Sequence, residues 1–174
     1  MLAPKQTIHL GVEGRRDQKF VEHLSQKSNL VSNPDFGHAL RTSISFGRSA
    51  IQVVQVVAFE HADLKLALID CDRLTASPRE KSEAIKLAKA NQVEVVILKP
   101  CLDSILLAIT GDLSELSAPD CESAKRKIQA ILNPRFAPNI GFAKLLESKV
   151  SVRKLGACRS LDPGLDRLLE VFGL

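Results

Sequence analysis

The chain of 174 residues contains no tryptophan and no tyrosine, so its seven phenylalanines are its only large aromatic side chains. Without a tyrosine, the chain cannot itself supply a tyrosine nucleophile, which excludes a covalent tyrosyl intermediate formed within it. The scarcity of aromatic rings also gives little support to base stacking as the main grip on single-stranded nucleic acid. Contacts to a nucleic-acid backbone are the better prediction.

Cysteines are few, and long apolar runs are missing. Cys71, Cys101, Cys121 and Cys158 stand singly, without the paired spacing of a zinc site or a disulfide framework. No apolar run approaches the roughly 18 residues of a membrane helix, and residues 1–6 lack an apolar signal core. We therefore expect reduced thiols, a cytoplasmic location and no membrane partner.

The balance of charge is mildly basic. Lys and Arg number 24 against 20 Asp and Glu, which gives a net charge of +4, and 45% of the residues are hydrophobic. This excess permits a polyanionic partner without requiring one. The length suits one domain with one core, so we interpret residues 1–174 as a single domain.

Hydrophobic periodicity predicts alternating strands and helices. Strands are expected at Thr7 to Val12, Thr42 to Phe46, Lys65 to Ile69 and Val93 to Leu98. The run from Ser49 to about His61 is ambiguous, and its length together with Ser49 as an N-cap favours a helix. Further helices are expected after Ser77-Pro78 and at about 102–110, 121–132, 139–149 and 162–172. The pattern predicts an α/β fold with about four mainly parallel strands flanked by helices and a helical C-terminal part at about 112–174.

Three acidic residues follow predicted strands. Glu13 comes after the first strand, and Asp70 and Asp72 come after the third, with a spacing that can aim both carboxylates at one point. Ligands of parallel sheets bind beyond the carboxyl ends of the strands, and carboxylate oxygens suit Mg²⁺ or Mn²⁺. The alternative is that these acids only cap helices or form turns.

Two stretches resemble the motifs of Toprim domains, namely Val12-Glu13-Gly14-Arg15-Arg16-Asp17 and Leu68-Ile69-Asp70-Cys71-Asp72. Toprim domains are the divalent-metal domains of bacterial primases, topoisomerases, OLD-family nucleases and a ribosomal RNA maturase. The chain is most similar to small single-domain Toprim-like proteins related to RloB and the OLD nucleases, many of them found among antiphage defence genes. The stretch from Lys99 to Leu107 resembles a further segment of that group, with Asp103 in place of the usual Glu.

The resemblance implies a Toprim, Rossmann-like fold and a set of catalytic acids. In it Glu13 is a metal-linked acid or base, Asp70 and Asp72 are metal ligands, and Asp103 is a fourth acid. The implied cofactor is Mg²⁺ or Mn²⁺, and the implied partners are DNA or RNA and a protein of a defence system. Because the chain has no tyrosine, hydrolysis by metal-activated water is favoured over topoisomerase chemistry.

Basic residues near these acids are candidates for binding nucleic acid. They are Arg15, Arg16, Lys19, Arg73 and Lys99. A second basic set in the C-terminal part would serve backbone contacts, or would simply form solvated helix faces. It comprises Lys125, Arg126, Lys127, Lys144, Lys149, Arg153, Lys154 and Arg159.

Three functions remain open from the sequence. The first is a divalent-metal-dependent nuclease that hydrolyses DNA or RNA, plausible in antiphage defence. The second is a non-catalytic Toprim-like subunit that binds nucleic acid or a partner protein. The third is a small metal-dependent phosphatase.

Overall fold

The computed structural model describes residues 7–31, 41–111, 120–132 and 134–174. Its centre is a four-stranded, all-parallel sheet with the strand order β2-β1-β3-β4. The strands are β1 (Thr7–Val12), β2 (Arg41–Phe46), β3 (Leu64–Asp70) and β4 (Glu94–Leu98). The predicted α/β class and parallel sheet are confirmed. The segment with Asn33-Pro34 and Gly37, whose residue types predict a loop before β2, lies outside the described residues.

Helices flank this sheet and fill the C-terminal part. They are α1 (Arg15–Val31), α2 (Ala50–Ala58), α3 (Cys71–Ala76), α4 (Pro78–Ala90), α5 (Leu102–Thr110), α6 (Cys121–Ile131), α7 (Pro138–Lys149), α8 (Val152–Ala157) and α9 (Pro163–Phe172). The ambiguous run is helical, and the Ser49 hydroxyl accepts a hydrogen bond from the Gln52 N–H as its N-cap. The short helices α3 and α8 were not predicted, because six residues carry too little periodicity. Across the described ranges, none of the helices has both the length and the apolar character to cross a bilayer.

The sheet is covered on both faces by separate apolar clusters. On one face, Leu10 and Leu68 pack with α1, α5, α7 and α9. On the other face, Ala67 and Ile69 pack with α2 and α4. Gly11 of β1 faces α2, where a Cβ atom would lie 2.5 Å from the Val53 carbonyl oxygen, so only glycine allows this close approach. The helices after β1 and β3 therefore leave the sheet toward opposite faces.

Asp162 joins the C-terminal helix α9 to the carboxyl end of β4. Its side chain is 2% exposed; Oδ1 accepts a hydrogen bond from the Leu165 N–H at 2.9 Å and Oδ2 accepts one from the Lys99 N–H at 3.2 Å. Arg167, farther along α9, binds both carboxylate oxygens of Glu94 at the start of β4. These contacts attach α9 to both the carboxyl end and the amino end of the edge strand β4.

Replacing Asp162 with Ala should lower the free energy of unfolding by about 2–3 kcal/mol, because two backbone N–H groups lose a buried acceptor. Asp162→Asn keeps one acceptor oxygen and should cost less. Urea denaturation followed by circular dichroism measures both variants. A loss below about 0.5 kcal/mol for Asp162→Ala would show that this connection is dispensable.

Candidate active site

A polar cleft opens at the carboxyl edge of the sheet between β1 and β3. From β1 the chain moves outward to β2 and then returns to β3 on the other side of β1, so this is the point at which the strand order reverses. Parallel sheets form their ligand crevices at such a point. The cleft has a volume of about 370 Å³ and is lined by Glu13, Gly14, Arg15, Arg16, Asp17, Asp70, Arg73, Leu102, Asp103 and Lys125.

Glu13 follows the last residue of β1 and has one carboxylate oxygen without a partner. Its Oε2 atom lies 3.2 Å from Arg73 Nε, and the side chain is only 12% exposed. Its Oε1 atom is buried and has no hydrogen-bond partner among the described residues. A buried carboxylate oxygen without a donor is costly unless a ligand satisfies it.

Asp70 is the last residue of β3 and occupies the N-cap position of α3. Its side chain makes no capping hydrogen bond to that helix. Instead, Oδ1 accepts a hydrogen bond from the Leu102 N–H at 2.9 Å, which holds the carboxylate at the cleft. Capping of α3 therefore does not explain this residue.

Asp72 does not line the cleft with Asp70. Asp70 ends β3 with extended backbone angles, whereas Asp72 lies in the first turn of α3, so the two do not follow the alternation of a single strand. Asp72 Oδ1 accepts a hydrogen bond from the Arg73 N–H at 2.8 Å, and Oδ2 lies 3.9 Å from Lys125 Nζ. The expectation that this pair aims at one point assumed an extended or turning backbone. The role of Asp72 as a metal ligand stays a prediction.

Asp103 lines the cleft but is paired with a guanidinium group. It is 6% exposed, and its Oδ1 accepts a hydrogen bond from Arg16 Nη1 at 2.9 Å. Arg16 also donates from Nη2 to Gln129 Oε1 at 3.0 Å, and its guanidinium carbon lies 5.7 Å from the centre of the Phe142 ring. In this arrangement Asp103 holds Arg16 in a fixed position among α1, α5, α6 and α7.

The sequence did not single out Asp17 as a site residue and placed Lys125 only in the second basic set. Asp17 lies in the first turn of α1, where its carboxylate accepts a hydrogen bond from the Gly14 N–H. Its place in the same motif as Glu13, four residues later, was the available signal. Lys125 reaches the cleft because α6 packs against α5, and no local pattern reveals that contact.

Burial raises the pKa values of three carboxyl groups in this cleft. It raises the pKa of Asp70 to about 8, and the charges of Asp17, Glu13 and Asp72 add to this. It raises the pKa of Glu13 to about 7 against the opposing charge of Arg73. It also raises the pKa of Asp17 to about 6. Acids of this kind hold protons near neutral pH and gain from a cationic ligand.

The carboxylates do not form a ready-made metal site. Among the residues that the structure describes, no three side chains of His, Cys, Asp or Glu are grouped so that they could hold one metal ion. Glu13 and Asp70 are each turned toward a partner within the protein, Arg73 and the Leu102 N–H respectively. A cation in this cleft would therefore compete with Arg73 for Glu13.

The five basic residues predicted near the acids are divided among three regions. Arg15, Arg16 and Arg73 line the cleft. Lys19 forms an ion pair with Glu22 at 2.6 Å and lines a separate depression between α1 and α7. Lys99 is exposed and lines a third depression, between β4 and α9.

Comparisons with protein-family models, with curated proteins and with solved structures give no match to this chain. The resemblance to Toprim domains therefore rests on the quoted motifs, and the function must be argued from the geometry of the cleft.

The raised pKa of Asp70 makes stability depend on pH. Its folded-state pKa of about 8 lies above the ordinary value of 3.8 for an aspartate, so between these values the folded protein retains a proton that the unfolded chain loses. Stability should fall as pH rises from about 4 to about 8. Relative to Asp70→Asn, which cannot titrate there, the metal-free wild type should lose on the order of 2–4 kcal/mol over this range.

Urea denaturation of both proteins at several pH values in EDTA tests this dependence. The comparison between the two proteins cancels the contribution of the buried histidines His9 and His23, whose pKa values are lowered by burial. Parallel stability curves for the two proteins would contradict the raised pKa of Asp70.

Proposed function

We propose that the cleft binds a divalent cation with Glu13 and Asp70 and hydrolyses phosphodiester bonds of nucleic acid. The observation that carries this proposal is the buried Glu13 Oε1 atom, which has no hydrogen-bond donor among the described residues and lies in a cleft that Asp70 also lines. The same cleft is lined by the cationic side chains of Arg15, Arg16, Arg73 and Lys125. Carboxylates that can bind a metal ion and cationic side chains that can bind phosphate thus share one site.

The donor set fits Mg²⁺ or Mn²⁺. Both ions prefer hard oxygen ligands and keep several waters when one or two carboxylates bind them alongside a phosphate. Burial and mutual repulsion disfavour the ionised forms of Glu13 and Asp70, and a divalent cation would favour them. When bound there, such an ion would polarise the phosphodiester and lower the pKa of a bound water.

The basic side chains of the cleft would contact different parts of the polyanion. Arg16 is fixed by Asp103 and Gln129, so it offers a positioned charge to a phosphate oxygen. Arg73 is 62% exposed, and its side chain has the freedom to exchange Glu13 for a phosphate. Arg15 at the exposed mouth of the cleft would contact the backbone of the substrate.

A second candidate function is favoured by the ion pair between Arg73 and Glu13. If that ion pair remains when metal ions are present, the Arg73 guanidinium occupies the place of the metal ion. Glu13 and Asp70 then bind no divalent cation. The chain would then be a non-catalytic subunit that binds nucleic acid or a partner protein.

The nuclease proposal predicts cleavage that requires both metal and Asp70. Labelled duplex DNA, single-stranded DNA and structured RNA are incubated with Mg²⁺, Mn²⁺ or EDTA. Asp70→Asn retains an acceptor for the Leu102 N–H and should cleave at least about 100-fold more slowly than the wild type.

The matched control is Glu170→Gln, which removes a carboxylate charge from α9. Glu170 pairs with Arg167, which in turn binds Glu94 at the amino end of β4, so it is remote from the cleft. This variant should cleave like the wild type. Equal cleavage by Asp70→Asn and the wild type, or no cleavage of any substrate with either metal, would rule out the proposed nuclease activity.

A further inference from the structure

The edge strand β2 ends with an exposed aromatic ring at the same carboxyl edge of the sheet as the cleft. Phe46 is the last residue of β2 and is 47% exposed. It stands opposite Val12 in the parallel register, one position before Glu13. The Gly47 N–H donates to the Val12 carbonyl at 3.0 Å, which fixes this end of the strand. Phe46 therefore lies at the carboxyl edge of the sheet, next to the strand that delivers Glu13.

The direction of the Phe46 side chain follows from the alternation along β2. Ser45 contacts His9 through its hydroxyl, on the face of the sheet that Gly11 shares with α2. Ile44 packs against the apolar cluster of α1 on the other face. Phe46, two residues after Ile44, faces the same side as α1. The ring and the first turn of α1 thus share one face and one end of the sheet.

Two exposed arginines without an ion-pair partner among the described residues follow the strands at this edge, one after β1 and one after β2. Arg15 begins α1 and lines the cleft, and Arg48 follows Phe46 by two residues; both are exposed. Within the described part of the chain, neither guanidinium has an ion-pair partner, whereas Arg16 and Arg73 both do. Arg15 and Arg48 are therefore the arginines of this edge that are available to an anionic ligand.

We propose that Phe46 stacks against a base of a single-stranded nucleic acid whose backbone runs past Arg48 and Arg15 into the cleft. A single strand offers unstacked bases to an aromatic ring, while the bases of an intact duplex are already stacked on one another. The two arginines match the charge of the backbone on either side of that base. This inference rests on the proposed function, and it assigns the substrate of the cleft to single strands rather than duplexes.

Binding in EDTA tests the inference without requiring cleavage. The anisotropy of labelled single-stranded DNA, single-stranded RNA and duplex DNA of equal length is measured with the wild type and Phe46→Ala. The substitution should weaken binding of the single strands by roughly 5- to 100-fold. Binding of the duplex should change by less than about twofold, since backbone contacts dominate there.

Phe59→Ala is the matched control. Phe59 is 84% exposed but lies at the C-cap of α2, toward the opposite end of the sheet, so its loss should change neither affinity. Phe46→Leu, which keeps an apolar side chain without the ring, replaces Phe46→Ala if that variant folds poorly. An equal loss of single-strand and duplex binding, or no loss at all, overturns the proposal.

The absence of tryptophan allows a direct test of stacking. Phe46→Trp introduces one indole into a chain that has none. Its fluorescence should be quenched by an oligodeoxythymidine strand in EDTA, while that of Phe59→Trp should stay unchanged. Quenching at both positions, or at neither, would contradict stacking at Phe46. These titrations do not depend on cleavage. If single strands bind in a way that requires Phe46 but no substrate is cleaved, the nuclease proposal fails and the stacking proposal stands.

Discussion

Two partly buried carboxylates share one cleft because β1 and β3 are neighbours whose following segments leave the sheet toward opposite faces. Glu13 follows β1 before α1 covers one face, and Asp70 ends β3 before α3 and α4 cover the other. The parting of these segments opens the cleft at the carboxyl edge of the sheet. The rest of the site depends on this placement.

Partial burial of several neighbouring acids favours positive charge close to them. The protein supplies part of this charge with Arg73 beside Glu13 and Arg16 beside Asp103. These two pairs differ in their mobility, because Asp103 is buried and Arg16 has a second partner, whereas Arg73 is largely exposed. On the proposed function, a cation that approaches Glu13 would displace an exposed side chain and leave the fixed pair intact, and the displaced guanidinium would remain near the anionic substrate.

The sheet and most helices were predictable because burial imposes periods of two and 3.6 residues on the sequence. Glu13 and Asp70 were predictable for the same reason, since each directly follows a recognisable strand. The helical backbone of Asp72 was not predictable, because the six residues of α3 carry too little periodicity, and its role as a metal ligand stays a prediction. The positions of Lys125 and Phe46 near the candidate site were not predictable, because they depend on helix packing and strand order. Both relate segments that are far apart in the chain.

Binding of a divalent cation by Glu13 and Asp70 is the central claim, and calorimetric titration with Mn²⁺ tests it most directly. The wild type and Glu170→Gln should bind one Mn²⁺ with the same affinity. Glu13→Gln and Asp70→Asn should each bind at least about tenfold more weakly, a difference of about 1.4 kcal/mol. Absence of binding by the wild type, or equal affinity in all four proteins, would contradict the account.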